Sequence, residues 1–219
     1  MRHLRIHLTA LVLALCIAGL TPSGVHAQGA ELPQLAPLRS VRENFVLTFN
    51  GRPLQVCQRE WQSWNRLHGV CRDLATATLP GRQLIAGSLV EFVVFDGTLY
   101  QRVADQTTWT ASPDPNFAPD LTLNEGLFDI GSQAELSYSG PADVAGTPAT
   151  QYQYWSLDEA LNTSSGGQLV YDLFLSTGST VLKSQVSVRG SIAGMGEGDL
   201  SEVRTFSDFN TSITIVAPT

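Results

Sequence analysis

Along most of the chain, apolar and polar residues alternate with a period of two. That is the repeat of a strand whose two faces meet different surroundings. In Val41–Phe49, Val41, Phe45, Leu47 and Phe49 fall on one side, and Arg42, Asn44 and Thr48 on the other. Asn50-Gly51 then turns the chain. Leu89–Phe95 has the apolar character of a buried strand, Asp96-Gly97 follows, and Thr98–Val103 returns. Apolar runs around Asp-Gly are the strongest short-range hairpin signal. The same alternation predicts strands over residues 134–139, 150–155, 168–175, 181–190, 200–207 and 212–216, with a turn at residues 176–179. Gly194-Met195-Gly196-Glu197-Gly198 lies between two of these and reads as a flexible hairpin loop. Helical signals are few. Residues 121–130 hold one or two turns, and residues 157–162 another. Pro33 and Pro37 keep any helix over 32–38 short. Residues 110–120 (TASPDPNFAPD) form a Pro/Asp loop. The fold class is therefore mainly β, one strongly curved antiparallel sheet of about nine to eleven strands. Curling lets so wide a sheet bury one face.

The first 27 residues read as an export signal. Arg2 and Arg5 open it, and an apolar run from Leu8 to Leu20 follows. Thirteen residues are too few to span a bilayer as a helix but suit a signal-peptide core. Val25-His26-Ala27 places small residues at the −3 and −1 positions, which predicts cleavage after Ala27. The competing reading is a lipid anchor at Cys16, but Leu15 stands where a lipobox carries a small residue. The expected destination is the periplasm, cell envelope or extracellular space. Residues 28–39 then read as a linker or short helix, and residues 40–219 as one domain.

Removal of that segment changes the chemistry available. Two arginines leave and no acids do, so eleven basic residues face twenty acidic ones, a net charge of −9. Such a balance argues against nucleic acid as a partner. His3, His7 and His26 leave as well, so His68 is the one histidine left. A single histidine cannot build the usual multi-His zinc or iron site, so neither a metal nor another cofactor is expected. A Ser-His-Asp triad through His68 lacks a G-x-S-x-G elbow, and the polar stretch before Gly69 reads as an exposed loop or strand. No G-x-G-x-x-G or P-loop pattern follows a strand. No catalytic residues are assigned, and no enzyme is expected. Cys57 and Cys71 remain, and two cysteines in an exported chain usually pair. Their loop of about 15 residues would gain roughly 3 kcal/mol on the chain-entropy model.

The order of pieces is similar to a known family. VEFVVFDGTLYQR (residues 90–102) precedes TTWTASPDP (107–115), and LSEVRTFSDFNTSITIVAP (200–218) closes the chain. These resemble the strand–Asp-Gly–strand hairpin with Tyr100, the Trp109 segment, and the final strands around Ser207-Asp208-Phe209-Asn210 with Pro218 of the LolA/LppX-like lipoprotein-carrier superfamily. That superfamily includes the LppX/LprA/LprF/LprG group. The resemblance covers roughly residues 40–219. It implies an open half-barrel, short helices on its concave face, and an apolar cavity for acyl chains or lipid-linked molecules. The chain departs from the family in its weak lipobox, its Pro-broken N-terminal helix, and a Cys57–Cys71 segment that reads as a local addition.

A carrier of this kind needs an apolar hollow, a lid and few polar groups inside. The cavity-facing candidates are Phe45, Leu47, Phe49, Phe92, Val94, Leu99, Leu173, Leu175, Leu182, Val186 and Val188. The lid candidates are Leu121, Leu123, Leu127, Phe128 and Ile130. The same residues can instead form a packed core. The functional expectation is a monomeric binder of a lipid-like ligand. The alternative is an envelope domain that binds a protein partner or senses stress.

Overall fold

A computed structural model describes residues 33–79, 82–103, 106–128, 135–156 and 168–219. The first half of these contains β1 (Val41–Phe49), β2 (Arg52–Ser63), β3 (Arg66–Asp73), β4 (Ala77–Leu79), β5 (Arg82–Leu84), β6 (Leu89–Phe95), β7 (Thr98–Val103) and β8 (Thr110–Pro113). The helix α1 (Leu123–Phe128) follows. The second half contains β9 (Glu135–Val144), β10 (Thr147–Ser156), β11 (Gln168–Leu175), β12 (Val181–Ile192) and β13 (Gly196–Ser207). Eleven strands make one curved, unclosed antiparallel sheet in the order β8-β7-β6-β3-β2-β1-β13-β12-β11-β10-β9, and β4 pairs only with β5.

That order follows from two hairpin meanders. The chain begins at the middle of the sheet with β1 and steps outward to the edge strand β8. It restarts at the opposite edge with β9 and steps back to the middle. The β1–β13 ladder, Arg42↔Ser207 through Phe49↔Leu200, joins the halves. The connection from β8 to β9 must therefore cross a face of the sheet, and it carries α1. Hairpin turns set the meanders: Asn50-Gly51 and Asp96-Gly97 have positive φ at both central residues, 50° and 73° in the first, 45° and 88° in the second. This backbone matches the twist of the flanking strands.

Register defines an inner face. Val41, Phe45 and Leu47 align with Trp61, Cys57 and Gln55 across β2, and onward with Leu67, Cys71 and Asp73 on β3. Four register shifts, at Leu47/Thr48, Trp61/Ser63, Gln153/Tyr154 and Phe174/Leu175, interrupt the ladders. Bulges of this kind add local twist and bend, which suits a curved sheet.

Several sequence expectations need correction. The Cys57–Cys71 segment is no local addition, because β2 and β3 are interior strands of the large sheet. Its twelve- and eight-residue strands escape the alternation test because polar residues occupy their inner positions. Cys57 and Cys71 lie directly opposite one another and are bonded, with Cα atoms 4.1 Å apart. Residues 110–113 are an edge strand rather than loop. Residues 196–198 of the glycine-rich stretch belong to β13, leaving a short turn before them. Residues 33–38 are irregular, without helix. No strand forms over 212–216: Asp208 and Asn210 take positive φ and turn the chain out of β13. Its donors then go elsewhere, Asn210 N to the Ser40 carbonyl and Ile215 N to Gln62 Oε1. The helix expected over 157–162 lies outside the described residues.

Gly69 is required by packing. It sits between Arg59 and Phe92 in the register, and a Cβ there would lie 2.3 Å from Phe92 Cζ. Gly69→Ala is expected to lower unfolding stability by about 1–3 kcal/mol in urea titration, because the new Cβ collides with the Phe92 ring of the paired neighbouring strand, which the ladder holds in place.

Candidate functional site

The inner face gathers most of the residues singled out from the sequence. Phe45, Leu47, Phe92, Val94, Leu99, Leu173, Leu175 and Val188 are buried in one continuous apolar cluster, and Phe49 and Val186 pack against it partly buried. Leu182 does not join it. The register passes from Phe174↔Lys183 to Leu175↔Val181, so Leu182 is the extra residue of a bulge and Val181 takes the inward place.

The cover has two parts. The first is α1, whose Leu123, Leu127 and Phe128 are buried. Thr122 and Glu125 form a reciprocal cap: Thr122 N donates to Glu125 Oε2 (2.8 Å) and Glu125 N to Thr122 Oγ1 (3.3 Å). The Thr122 donors hold the Glu125 carboxyl below its ordinary range. Leu121 precedes this cap and is 41% exposed, so it is not part of the cover. Ile130 lies outside the described residues. The helix lies very close to the sheet, since a Cβ on Gly126 would fall 2.0 Å from the Trp64 ring. Trp64 in turn stacks on Trp61 (5.6 Å, 9°), and Phe128 meets Phe206 edge-on (5.3 Å). The N-terminal segment straps the helix through Asn124 Nδ2 donating to the Ala36 carbonyl.

The second part of the cover, the β4–β5 hairpin, has no counterpart in the sequence expectations. Leu79 and Leu84 are its buried residues. Gly194, in the turn after β12, meets it so closely that a Cβ would be 2.6 Å from the Thr78 carbonyl oxygen. Three-residue strands give too short a periodic signal to read.

The middle of the inner face is polar, against the expectation of few polar groups inside. Glu43 (1% exposed), Arg59 (7%), Gln55, Asp73, Glu202 and Arg204 are all buried. Glu43 is the hub. Its Oε1 accepts from Arg59 (3.1 Å) and lies 3.7 Å from Arg204 Nε, while its Oε2 accepts from Trp61 Nε1 (2.6 Å). Arg204 also pairs with Glu202. Asp73 accepts from Gln55 Nε2 (2.7 Å) and from the Ile85 amide (3.0 Å). Arg82, on the hairpin, donates to Gln55 Oε1 (3.1 Å), so the second cover is tied to this cluster. Burial lowers the Arg82 guanidinium from its usual range, and the charge of Arg59 adds to that effect.

His68 faces the other side. Its Nε2 is 3.0 Å from Glu91 Oε1, and Arg102 Nε donates to Glu91 Oε2 (2.7 Å). Burial pushes the Glu91 carboxyl up, but hydrogen bonds from Arg102 and His68 outweigh it and hold the group below its ordinary 4.5.

No protein-family model matches this chain, and no curated protein matches it. Among solved structures, it is similar to a LolA superfamily protein from Nitrosomonas europaea, at 8% identity and a TM-score of 0.29, over 81% of this chain and 87% of that one.

Two outcomes follow from the charges. Glu43→Ala strands the buried Arg59 guanidinium and removes the acceptor of Trp61 Nε1, while Arg204 keeps Glu202; it is expected to cost about 3–5 kcal/mol in denaturant unfolding, the range for breaking a buried pair. Glu91 has a folded pKa below its unfolded one, so its contribution is present above the ordinary 4.5 and fades as pH falls through the lower folded value. Glu91→Gln is expected to reduce the acid-side slope of stability against pH, followed by urea midpoints from pH 6 downward.

Proposed function

We propose that this is a non-catalytic, exported envelope protein that holds a lipid or other long-chain hydrophobic ligand between the inner face of its sheet and the cover. The observation that carries this reading is the nature of the cover. A second sheet would seal the inner face permanently. Here the seal includes a six-residue helix on a crossing connection and a hairpin of two three-residue strands. Neither shares a backbone ladder with the eleven-stranded sheet. Both can lift without breaking a strand pairing, and the inner face carries, around its buried charges, an apolar cluster able to accept acyl chains. Each buried CH₂ contributes about 0.8 kcal/mol, so one or two chains suffice for tight binding.

Export rests on Val25-His26-Ala27 and agrees with the Cys57–Cys71 bond, which belongs with an oxidising compartment. The role that follows is carriage of an apolar molecule within the envelope, by a monomer without a cofactor.

Leu173 lies mid-strand on the inner face, opposite Tyr152 and Ser184, and is 2% exposed. Leu173→Trp is expected to abolish uptake of a fluorescent acyl probe while leaving the melting temperature nearly unchanged, because a cover that lifts makes room for the ring. Destabilisation of about 1–3 kcal/mol, together with a parent protein that takes up no probe, would instead mark a packed core. The chain would then be read as a protein-binding domain.

A further inference from the structure

The apolar ligand proposed above leaves open what its polar end carries. Three buried side-chain atoms among the described residues lack a hydrogen-bond partner: Arg59 Nε, Tyr154 Oη and Asp199 Oδ1. Asp199 alternates with inner-facing Leu200 and pairs with Arg189, so it belongs to the outer face. Of the two on the inner face, Arg59 Nε can only donate, whereas the Tyr154 hydroxyl can donate or accept. The inner carboxylates are already engaged: Glu43 by Arg59 and Trp61, Glu202 by Arg204, and Asp73 by Gln55 and the Ile85 amide.

Arg59 is the better placed donor. One terminal nitrogen goes to Glu43, and the other reaches only the Cys57 sulfur, at 4.0 Å. Its guanidinium lies over the Phe45 ring, 4.3 Å from the centroid, which fixes the plane of the fork among the apolar candidates. Arg204 shares Glu43 with it, and Arg82 approaches from the hairpin cover. Burial is the main cause of the lowered Arg82 guanidinium, Asp73 opposes it, and the charge of Arg59 adds to it. Three guanidiniums thus meet at the seam between sheet and cover. An unpaired donor buried there carries its desolvation cost uncompensated, which an incoming acceptor removes. Tyr154 is on β10, five strands from β2 in the sheet order, and serves a different part of the face.

We infer that the ligand is a long-chain amphiphile whose polar end is an acceptor-only anion, a carboxylate, seated at Arg59 between the sheet and the Arg82 hairpin. This rests on the apolar-ligand reading. The whole chain carries a net charge of −7, so overall electrostatics alone favours a cationic head, and a preference for an anionic one must come from a local site.

The test compares three probes of equal chain length against the purified protein by competition with a fluorescent acyl probe: hexadecanoate, hexadecylamine and hexadecanol. Hexadecanoate is expected to bind at least about tenfold more tightly than hexadecylamine, the worth of one charge-assisted hydrogen bond. Arg82→Met strands no direct carboxylate partner. It is expected to weaken hexadecanoate about tenfold with hexadecanol unchanged. The double variant Arg59→Met/Glu43→Gln removes the buried charges as a pair and is expected to erase the preference; should it fail to fold, Arg82→Met decides. Equal binding of acid and amine, or preference for the amine, overturns the headgroup inference and leaves the apolar-ligand reading standing. Failure of all three probes to bind overturns both.

Discussion

The constraint on which the rest depends is topological. An eleven-stranded sheet that does not close leaves one face to be hidden from water by something outside the sheet. The order of strands provides that covering. Because the chain reaches one edge at β8 and resumes at the other with β9, it must pass over the sheet, and the segment that passes carries α1 onto Trp64 and Phe206. The β3–β6 connection supplies the remaining cover as the β4–β5 hairpin. Sealing by connections rather than by a second layer is economical, and it separates two kinds of stability. The ladders hold the sheet together, whereas side-chain packing and a few hydrogen bonds hold the cover down.

The charges beneath the cover work in the opposite direction from the apolar cluster. Replacing a buried ion pair with apolar residues is often neutral or stabilising, while removing one partner is costly. The Glu43–Arg59–Arg204–Glu202 group is therefore a poor explanation for stability and a good one for register. Side chains alternate between faces, so a one-residue slip of β1 against β2 would turn one partner outward and leave the other buried alone. The same group leaves Arg59 Nε without a partner. Register and the proposed headgroup seat thus share one set of residues.

The fold class was legible in the sequence because the turn chemistry and the alternation agree at Val41–Phe49, Leu89–Phe95 and Gln168–Leu175. Most of the inner-face apolar residues followed from the same alternation. The interior strands β2 and β3 did not, since Gln55, Arg59, Asp73 and Gly69 stand at inner positions and break the pattern. Their polarity makes sense only once the register brings Glu43, Gln55 and Phe92 opposite them. Glu43 lies on the same parity as Val41 and Phe45, and a charge at that position is accommodated inside only because Arg59 and Trp61 meet it. Leu182 failed for a different reason: a bulge shifts the count by one, and no residue type announces it. The β4–β5 hairpin is too short for any periodicity.

Whether the covered face holds a ligand is the central question, and the protein as it exists in its own envelope answers it most directly. Protein purified without detergent, extracted with organic solvent and analysed by mass spectrometry against an equal mass of a non-binding control, is expected to release a long-chain amphiphile in near-stoichiometric amount. Recovery of no lipid above the control, from folded protein with its Cys57–Cys71 bond intact, would contradict the account.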